Sequence, residues 1–131
     1  MYPGLVEQIE AGELDSAGTR TIIERALRPL LDQRVDTLVL ACTHYPLVID
    51  LIAEIAGPSV RVIDPSPAIA RQTVRVLDDR HLRSGRTAGG ALALVSSRAP
   101  EALGTLAARL IGEAGPAFSA AWDQGRLRLL G

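Results

Sequence analysis

The sequence predicts an α/β fold in which parallel strands are layered with helices. Three apolar runs have the length and composition of strands: VDTLVLA (35–41), VRVID (60–64) and ALALVSS (91–97). Each is followed by a longer segment with helical features. Strands that alternate with helices are typical of parallel sheets with right-handed crossover connections.

The first third of the chain predicts two helices. The segment LVEQIEAG accounts for one or two helical turns that end at Gly12. A longer helix is predicted from Thr19 to about Gln33 because its apolar residues recur at helical spacing. These are Ile22, Ile23, Ala26, Leu27, Leu30 and Leu31. Pro29 lies inside this pattern, so we expect a kink or a freed backbone carbonyl there.

The middle of the chain predicts two strand–helix units. The run 35–41 is almost continuously apolar, as in a parallel strand covered on both faces. Pro46 then marks the first residue of a helix that Gly57 ends. After the strand at 60–64, Ser66 is the expected N-cap, and Pro67 the first residue, of a helix that runs to about Leu82.

The last third predicts a loop, a strand and a helix. The loop is RSGRTAGG (83–90), which is rich in glycine, and the strand is 91–97. A fourth helix is expected from Pro100 to about Ala114. The tail is ambiguous between a terminal strand and a hairpin that turns around Asp123–Gly125.

Composition excludes several classes of protein. The 131 residues suffice for one compact domain, and 47% hydrophobic with 22% charged residues is ordinary for a globular protein. The net charge of −1 argues against binding to nucleic acid or to an anionic membrane surface. No apolar run reaches the roughly 18–20 residues of a membrane span, and the N-terminus has no signal-peptide pattern. We therefore expect a cytoplasmic protein.

The cysteine count limits the chemistry further. One Cys excludes an internal disulfide, and Cys42 with His44 and His81 gives too few ligands for a structural zinc site. The glycine-rich loop lacks both GxGxxG and GK[ST], which argues against nucleotide binding. No metal and no cofactor are predicted.

Cys42, Thr43 and His44 directly follow the strand run 35–41. Ligands of parallel α/β sheets bind beyond the carboxyl ends of strands, and a helix start there favours a carboxylate or a thiolate. An imidazole beside a thiol can carry its proton. Alternatively, Cys42 is a small buried hydrophobe, His44 bonds its own backbone and Thr43 is a cap. The residues alone indicate a carboxylate site with a thiol, and no particular reaction.

The stretch LACTHYPLV (40–48) resembles the second active-site motif of bacterial glutamate racemases, which usually reads Gly-Cys-Thr-His-Tyr-Pro. The preceding PGLVEQIEAGELDS, the following VRVIDPSPAIARQTVRVL and the later ALALVSSRAPEALGTLAARLIGEA are similar to segments of the same family. The resemblance covers nearly the whole chain but only about the second half of the family's length. It implies an incomplete α/β fold of the aspartate/glutamate racemase type.

The resemblance also implies a mechanism without pyridoxal phosphate or metal. Two cysteines face opposite sides of the substrate α-carbon, and one removes the proton while the other returns one. By motif position Cys42 resembles the second cysteine, which exchanges the proton of the L-enantiomer. Thr43 and His44 resemble the positions that hold glutamate, and His44 also assists proton transfer by Cys42. The implied role is supply of D-glutamate for peptidoglycan in the cytoplasm.

The chain departs from the family pattern in its first half. The family's N-terminal Asp-Ser with the glycine-rich loop that follows it, and its Cys-Asn-Thr motif, are both missing from these residues. The family's domain order assigns 1–64 to part of the second racemase domain and 65–131 to the segment that returns to the first. We therefore expect a truncated form, or else pieces repacked as a homodimer or joined by a complementing N-terminal half.

Two alternative functions stay open. A non-catalytic remnant would keep a carboxylate-binding turn at Thr43 and His44 without turnover, and the single Cys supports it. An aspartate racemase-like enzyme would usually carry Glu at the position of His44, so His44 and Tyr45 count against it.

Overall fold

The computed structural model describes residues 2–87, 89–113 and 115–130. The chain packs as two compact units, Met1–Ser84 and Gly85–Gly131. Each unit combines at least one helix with a pair of parallel strands, which confirms the α/β prediction. The division after Ser84 does not test the assignment of 1–64 and 65–131 to two racemase domains.

The first unit begins with helices α1 (Leu5–Ala11) and α2 (Ala17–Leu31). Gly12 ends α1 as expected, at a φ of 84° that a glycine adopts without strain. Helix α2 starts two residues before the predicted position because the Ser16 Oγ accepts a hydrogen bond from the N–H of Thr19, 3.2 Å away. It continues through Pro29 to Leu31.

Strands β1 (Thr37–Val39) and β2 (Arg61–Ile63) form a parallel pair in which Leu38 lies opposite Val62. They are shorter than the predicted runs. Val39 is 60% exposed, so the expectation of a strand covered on both faces is wrong within the described residues. The Val39 side chain borders an open groove beside α2 instead of a packed layer.

A 3₁₀ helix (Tyr45–Val48) follows β1 and leads into helix α3 (Ile49–Ala56), which ends at Gly57 as predicted. Pro46 lies in the first turn of the 3₁₀ helix rather than at the start of α3. The core of the unit joins the three helices to β1 and this 3₁₀ helix. Its buried residues are Leu5, Ile9, Thr19, Ile23, Leu27, Leu40, Val48, Leu51, Ile52 and Ala56.

Helix α4 (Ser66–Asp79) completes the first unit and has no buried residue. The predicted N-cap at Ser66 is wrong. Pro65 occupies that position, because its carbonyl accepts the N–H groups of Ala68 and Ile69, each at 3.0 Å. The Asp64 side chain instead accepts the N–H of Ser66 at 2.8 Å, as acidic residues often do in turns.

The second unit contains β3 (Leu94–Ser96), helix α5 (Pro100–Ile111), β4 (Ala117–Asp123) and β5 (Arg126–Leu130). Strand β3 pairs in parallel with β4, and β4 forms an antiparallel hairpin with β5. Gln124 and Gly125 connect the hairpin and both have positive φ, as a type I′ turn requires. This resolves the tail as a hairpin. Among the described helices of the whole chain, none is long and apolar enough to cross a membrane.

Candidate active site at the end of β1

The backbone after β1 brings the motif residues to one edge of the sheet. The N–H of Leu40 still donates to the carbonyl of Ile63 at 3.0 Å, so the pairing extends past the strand. The chain then turns, and the N–H of Tyr45 donates to the carbonyl of Cys42 at 3.2 Å. Cys42 therefore lies where the carboxyl end of a parallel strand meets the next helical segment.

A groove of about 660 Å³ opens beside β1 in the first unit. Its walls come from the start of the chain, α1, α2 and β1, and they are mainly apolar. Cys42 and Thr43 both line it, and the Cys42 side chain is partly accessible. The Tyr45 hydroxyl, which accepts the N–H of Tyr2 at 3.0 Å, ties the start of the chain to the same turn. The thiol thus lies at the boundary between an apolar surface and solvent.

His44 faces a carboxylate rather than the groove. Its Nε2 lies 3.1 Å from an Oε1 of Glu10 on α1, and the two side chains are 31% and 46% exposed. A carboxylate only accepts hydrogen bonds, so the ring hydrogen of this contact is on Nε2. The ring Nδ1 lies 3.5 Å from the Thr43 hydroxyl, the long limit of a hydrogen bond. Glu10 and Thr43 therefore contact the two ring nitrogens and together orient the imidazole.

The arrangement can support acid–base chemistry on a small carboxylate. Cys42 offers a thiol and Thr43 a hydroxyl at the groove. His44, whose ring contacts Glu10, stands next to them along the chain and can hold or pass a proton. No group of three or more His, Cys, Asp or Glu in the described ranges is placed to hold a metal ion.

The structure brings the predicted site residues together in part. Cys42 and Thr43 share the groove, while His44 does not line it and contacts Glu10 instead. Sequence reasoning gave Glu10 no role, although it falls in the segment PGLVEQIEAGELDS. A contact across 34 residues depends on how α1 packs against the turn, and no local spacing pattern signals it. An acidic residue in the first helix was the one available hint.

Comparisons with known proteins agree on one family. Residues 2–73 match the family model for Asp/Glu/Hydantoin racemase. A glutamate racemase of Herpetosiphon aurantiacus is 48% identical over 98 residues, which are 75% of this chain and 39% of that protein. The chain thus spans about two-fifths of the length of this relative.

Solved structures show the same fold. The glutamate racemase isoform RacE1 of Bacillus anthracis superimposes with a TM-score of 0.79 at 24% identity, covering 94% of this chain and 45% of that one. A glutamate racemase of Francisella tularensis in complex with D-glutamate has a TM-score of 0.73 at 22% identity, over 85% and 41% of the two chains. The predicted racemase-type fold, present in part, is confirmed.

Proposed function

The chain belongs to the Asp/Glu/hydantoin racemase family, and on that premise we propose that it supplies one half of a cofactor-independent site that interconverts L- and D-glutamate. The observation that carries the proposal is the position of Cys42, at the carboxyl end of β1 and at the rim of an open groove. The Herpetosiphon relative and the D-glutamate complex of the Francisella protein support glutamate as the substrate.

In the proposed reaction Cys42 acts as a thiolate on one face of the substrate. It takes the α-proton, so that the C–H bond breaks, an S–H bond forms and the electron pair stays on the α-carbon next to the carboxylate. Thr43 binds a substrate oxygen through its hydroxyl. His44, oriented by Glu10, binds substrate and exchanges protons with the thiol. Positioned acid–base groups of this kind contribute roughly 10²–10⁴-fold in rate.

Inversion needs a second acid on the opposite face. These residues hold one cysteine. We therefore propose that the second acid–base group belongs to the part of the family's length that the chain does not match, which acts as a complementing N-terminal half. In this view 1–64 is part of the second racemase domain, 65–131 returns to the first, and the product D-glutamate serves peptidoglycan synthesis in the cytoplasm.

The test is exchange of the substrate α-proton. The chain is incubated with L-glutamate, and separately with D-glutamate, in heavy water and followed by NMR. We expect loss of the α-proton signal of L-glutamate without inversion, and no loss with Cys42→Ala.

His44→Asn should slow exchange, whereas His81→Asn should not, because His81 has a positive φ that asparagine tolerates and lies outside the site. Equal exchange by Cys42→Ala and the unaltered chain would refute the role of the thiol.

A carboxylate-binding module without turnover is the second candidate, and the single cysteine favours it. It predicts that glutamate shifts the amide NMR signals of Thr43 and His44 while the α-proton is retained. A folded sample that binds glutamate without exchanging its α-proton would support the carboxylate-binding module.

A further inference from the structure

The turn after β1 is fixed at its first end by the strand pair. The N–H of Leu40 donates to the carbonyl of Ile63 at 3.0 Å. Within the turn, the N–H of Tyr45 donates to the carbonyl of Cys42 at 3.2 Å. Cys42 therefore lies between two backbone hydrogen bonds, and the position of its thiol depends on what holds Tyr45.

The Tyr45 side chain supplies a second anchor for this turn. Its hydroxyl accepts a hydrogen bond from the backbone N–H of Tyr2 at 3.0 Å, across 43 residues of sequence. Both residues are half-buried, and a hydrogen bond that is partly shielded from water is stronger than one at an exposed position. Because the donor is a backbone group just before α1, the bond ties the turn to the main chain and not to a second side chain.

Helix α1 gives the anchor a firm base. Leu5 and Ile9 of this helix are 3% and 0% exposed in the core of the first unit. The same helix carries Glu10, which contacts the Nε2 atom of His44 at 3.1 Å. The adjacent residues His44 and Tyr45 are therefore held by the two ends of the segment that includes α1.

We propose that Tyr45 is a positioning residue, whose hydroxyl anchors the turn to the backbone before α1 and so sets where the thiol of Cys42 lies. This inference rests on the proposed function, because the anchor affects a rate only if Cys42 moves a proton. Tyr45 itself takes no part in the proton transfer. A displacement of about 1 Å at a catalytic group can cost about 10²-fold in rate, so loosening the turn has a measurable effect.

The test compares two tyrosine-to-phenylalanine substitutions. Tyr45→Phe removes the acceptor and keeps the ring. Tyr2→Phe is the matched control, because it removes the same hydroxyl group but retains the backbone N–H that donates to Tyr45. Circular dichroism and thermal unfolding check that both variants fold.

The first readout needs no substrate. Amide hydrogen exchange is measured by NMR on the isotope-labelled chain at position 45, whose N–H donates to the carbonyl of Cys42. We expect exchange about 10-fold faster in Tyr45→Phe than in the unaltered chain, because the turn opens locally more often, and no change in Tyr2→Phe. Equal exchange rates in the two variants would overturn the proposal, since the hydroxyl would then not hold the turn.

The second readout is exchange of the α-proton of L-glutamate in heavy water. Tyr45→Phe should lower kcat for this exchange about 10-fold and leave KM nearly unchanged, because the thiol is displaced while His44 stays held by Glu10. Tyr2→Phe should keep both constants of the unaltered chain. A higher KM with an unaltered kcat would indicate a role of Tyr45 in binding glutamate and overturn the proposal.

The two readouts separate this proposal from the proposed function. Exchange that Cys42→Ala abolishes and Tyr45→Phe leaves at the unaltered rate would keep the function and refute the positioning role. If the unaltered chain exchanged the α-proton no faster than Cys42→Ala, the racemase and the positioning role would both be refuted. Faster amide exchange at position 45 of Tyr45→Phe would then show that the hydroxyl serves the fold alone.

Discussion

The Nε2 atom of His44 lies 3.1 Å from a carboxylate oxygen of Glu10, and this contact connects the turn after β1 to helix α1. Both side chains are partly exposed, and even a fully charged pair at the surface contributes only about 0–1 kcal/mol to stability. The contact therefore matters more for the orientation of the imidazole than for the fold.

Glu10→Leu should reduce Cys42-dependent exchange of the α-proton of L-glutamate about 10-fold, a part of the roughly 10²–10⁴-fold that acid–base groups contribute. The reason is that leucine has no acceptor for the Nε2–H of His44. Glu10→Gln keeps an acceptor and should retain more of the rate. The urea midpoint should stay the same for both variants. An unchanged exchange rate in Glu10→Leu would show that the imidazole needs no orienting partner.

Thr19→Val should destabilise the first unit by about 1–3 kcal/mol. Thr19 is fully buried, and its hydroxyl donates to the carbonyl of Glu13, which valine would leave unpaired. Thr105→Val is the control: this hydroxyl donates to the carbonyl of Glu101 at 2.9 Å in exposed positions, so about 0.5 kcal/mol or less is expected. Urea denaturation followed by circular dichroism measures both, and equal losses would argue against the buried bond.

Ile23→Ala should lower the free energy of unfolding by about 2–5 kcal/mol. Ile23 is 1% exposed, and its truncation would leave a cavity between the helices. Ile111→Ala makes the same chemical change at a residue that is 63% exposed, and it should cost under about 0.5 kcal/mol. The same denaturation experiment applies. A small loss at Ile23 would mean that the helices do not pack closely there.

The ion pair between Arg20 and Glu54 should make stability depend on acid pH. The hydrogen bond from the Arg20 guanidinium, 2.9 Å from the Glu54 carboxylate, lowers the pKa of Glu54 from its ordinary value of 4.5. A lowered folded-state pKa stabilises the fold above the ordinary value, and this contribution is lost as the pH falls through the folded-state pKa. The effect is small because both side chains face solvent.

The melting temperature of Glu54→Gln should therefore be slightly lower than that of the unaltered chain at pH 7. This difference should disappear as the pH falls below 4.5. Glu113→Gln makes the same chemical change at an exposed residue after α5 and serves as the matched control. If the difference in melting temperature between Glu54→Gln and the unaltered chain grew in acid, the ion pair with Arg20 would not be its cause.

The helices and turns were predictable because their signals are local. The spacing of Ile23 and Leu27 identified the buried face of α2, and Gly12 and Gly57 marked the ends of helices. The turn at Gln124 and Gly125 was one of the two alternatives that the composition of the tail left open. Each of these depends on residues within one or two helical turns of each other.

The rest depends on contacts that sequence spacing does not carry. The predicted N-cap at Ser66 was wrong because the carbonyl of Pro65 accepts the first helical N–H groups. Local sequence does not distinguish two adjacent residues as the N-cap. The partner of His44 was missed because Glu10 is distant in the chain. The exposure of Val39 was missed because an apolar run does not reveal whether other elements cover both faces of its strand. The motif itself, Cys42 to His44, was recognisable from residue order alone.

A strand bound at the open edge of β1 would make the stability of the first unit depend on concentration. A strand that occupies this edge binds the folded chain and not the unfolded one, so it stabilises the fold by mass action, by about 2.7 kcal/mol at 100 times its Kd. The melting temperature of the first unit would then report the amount of free partner present.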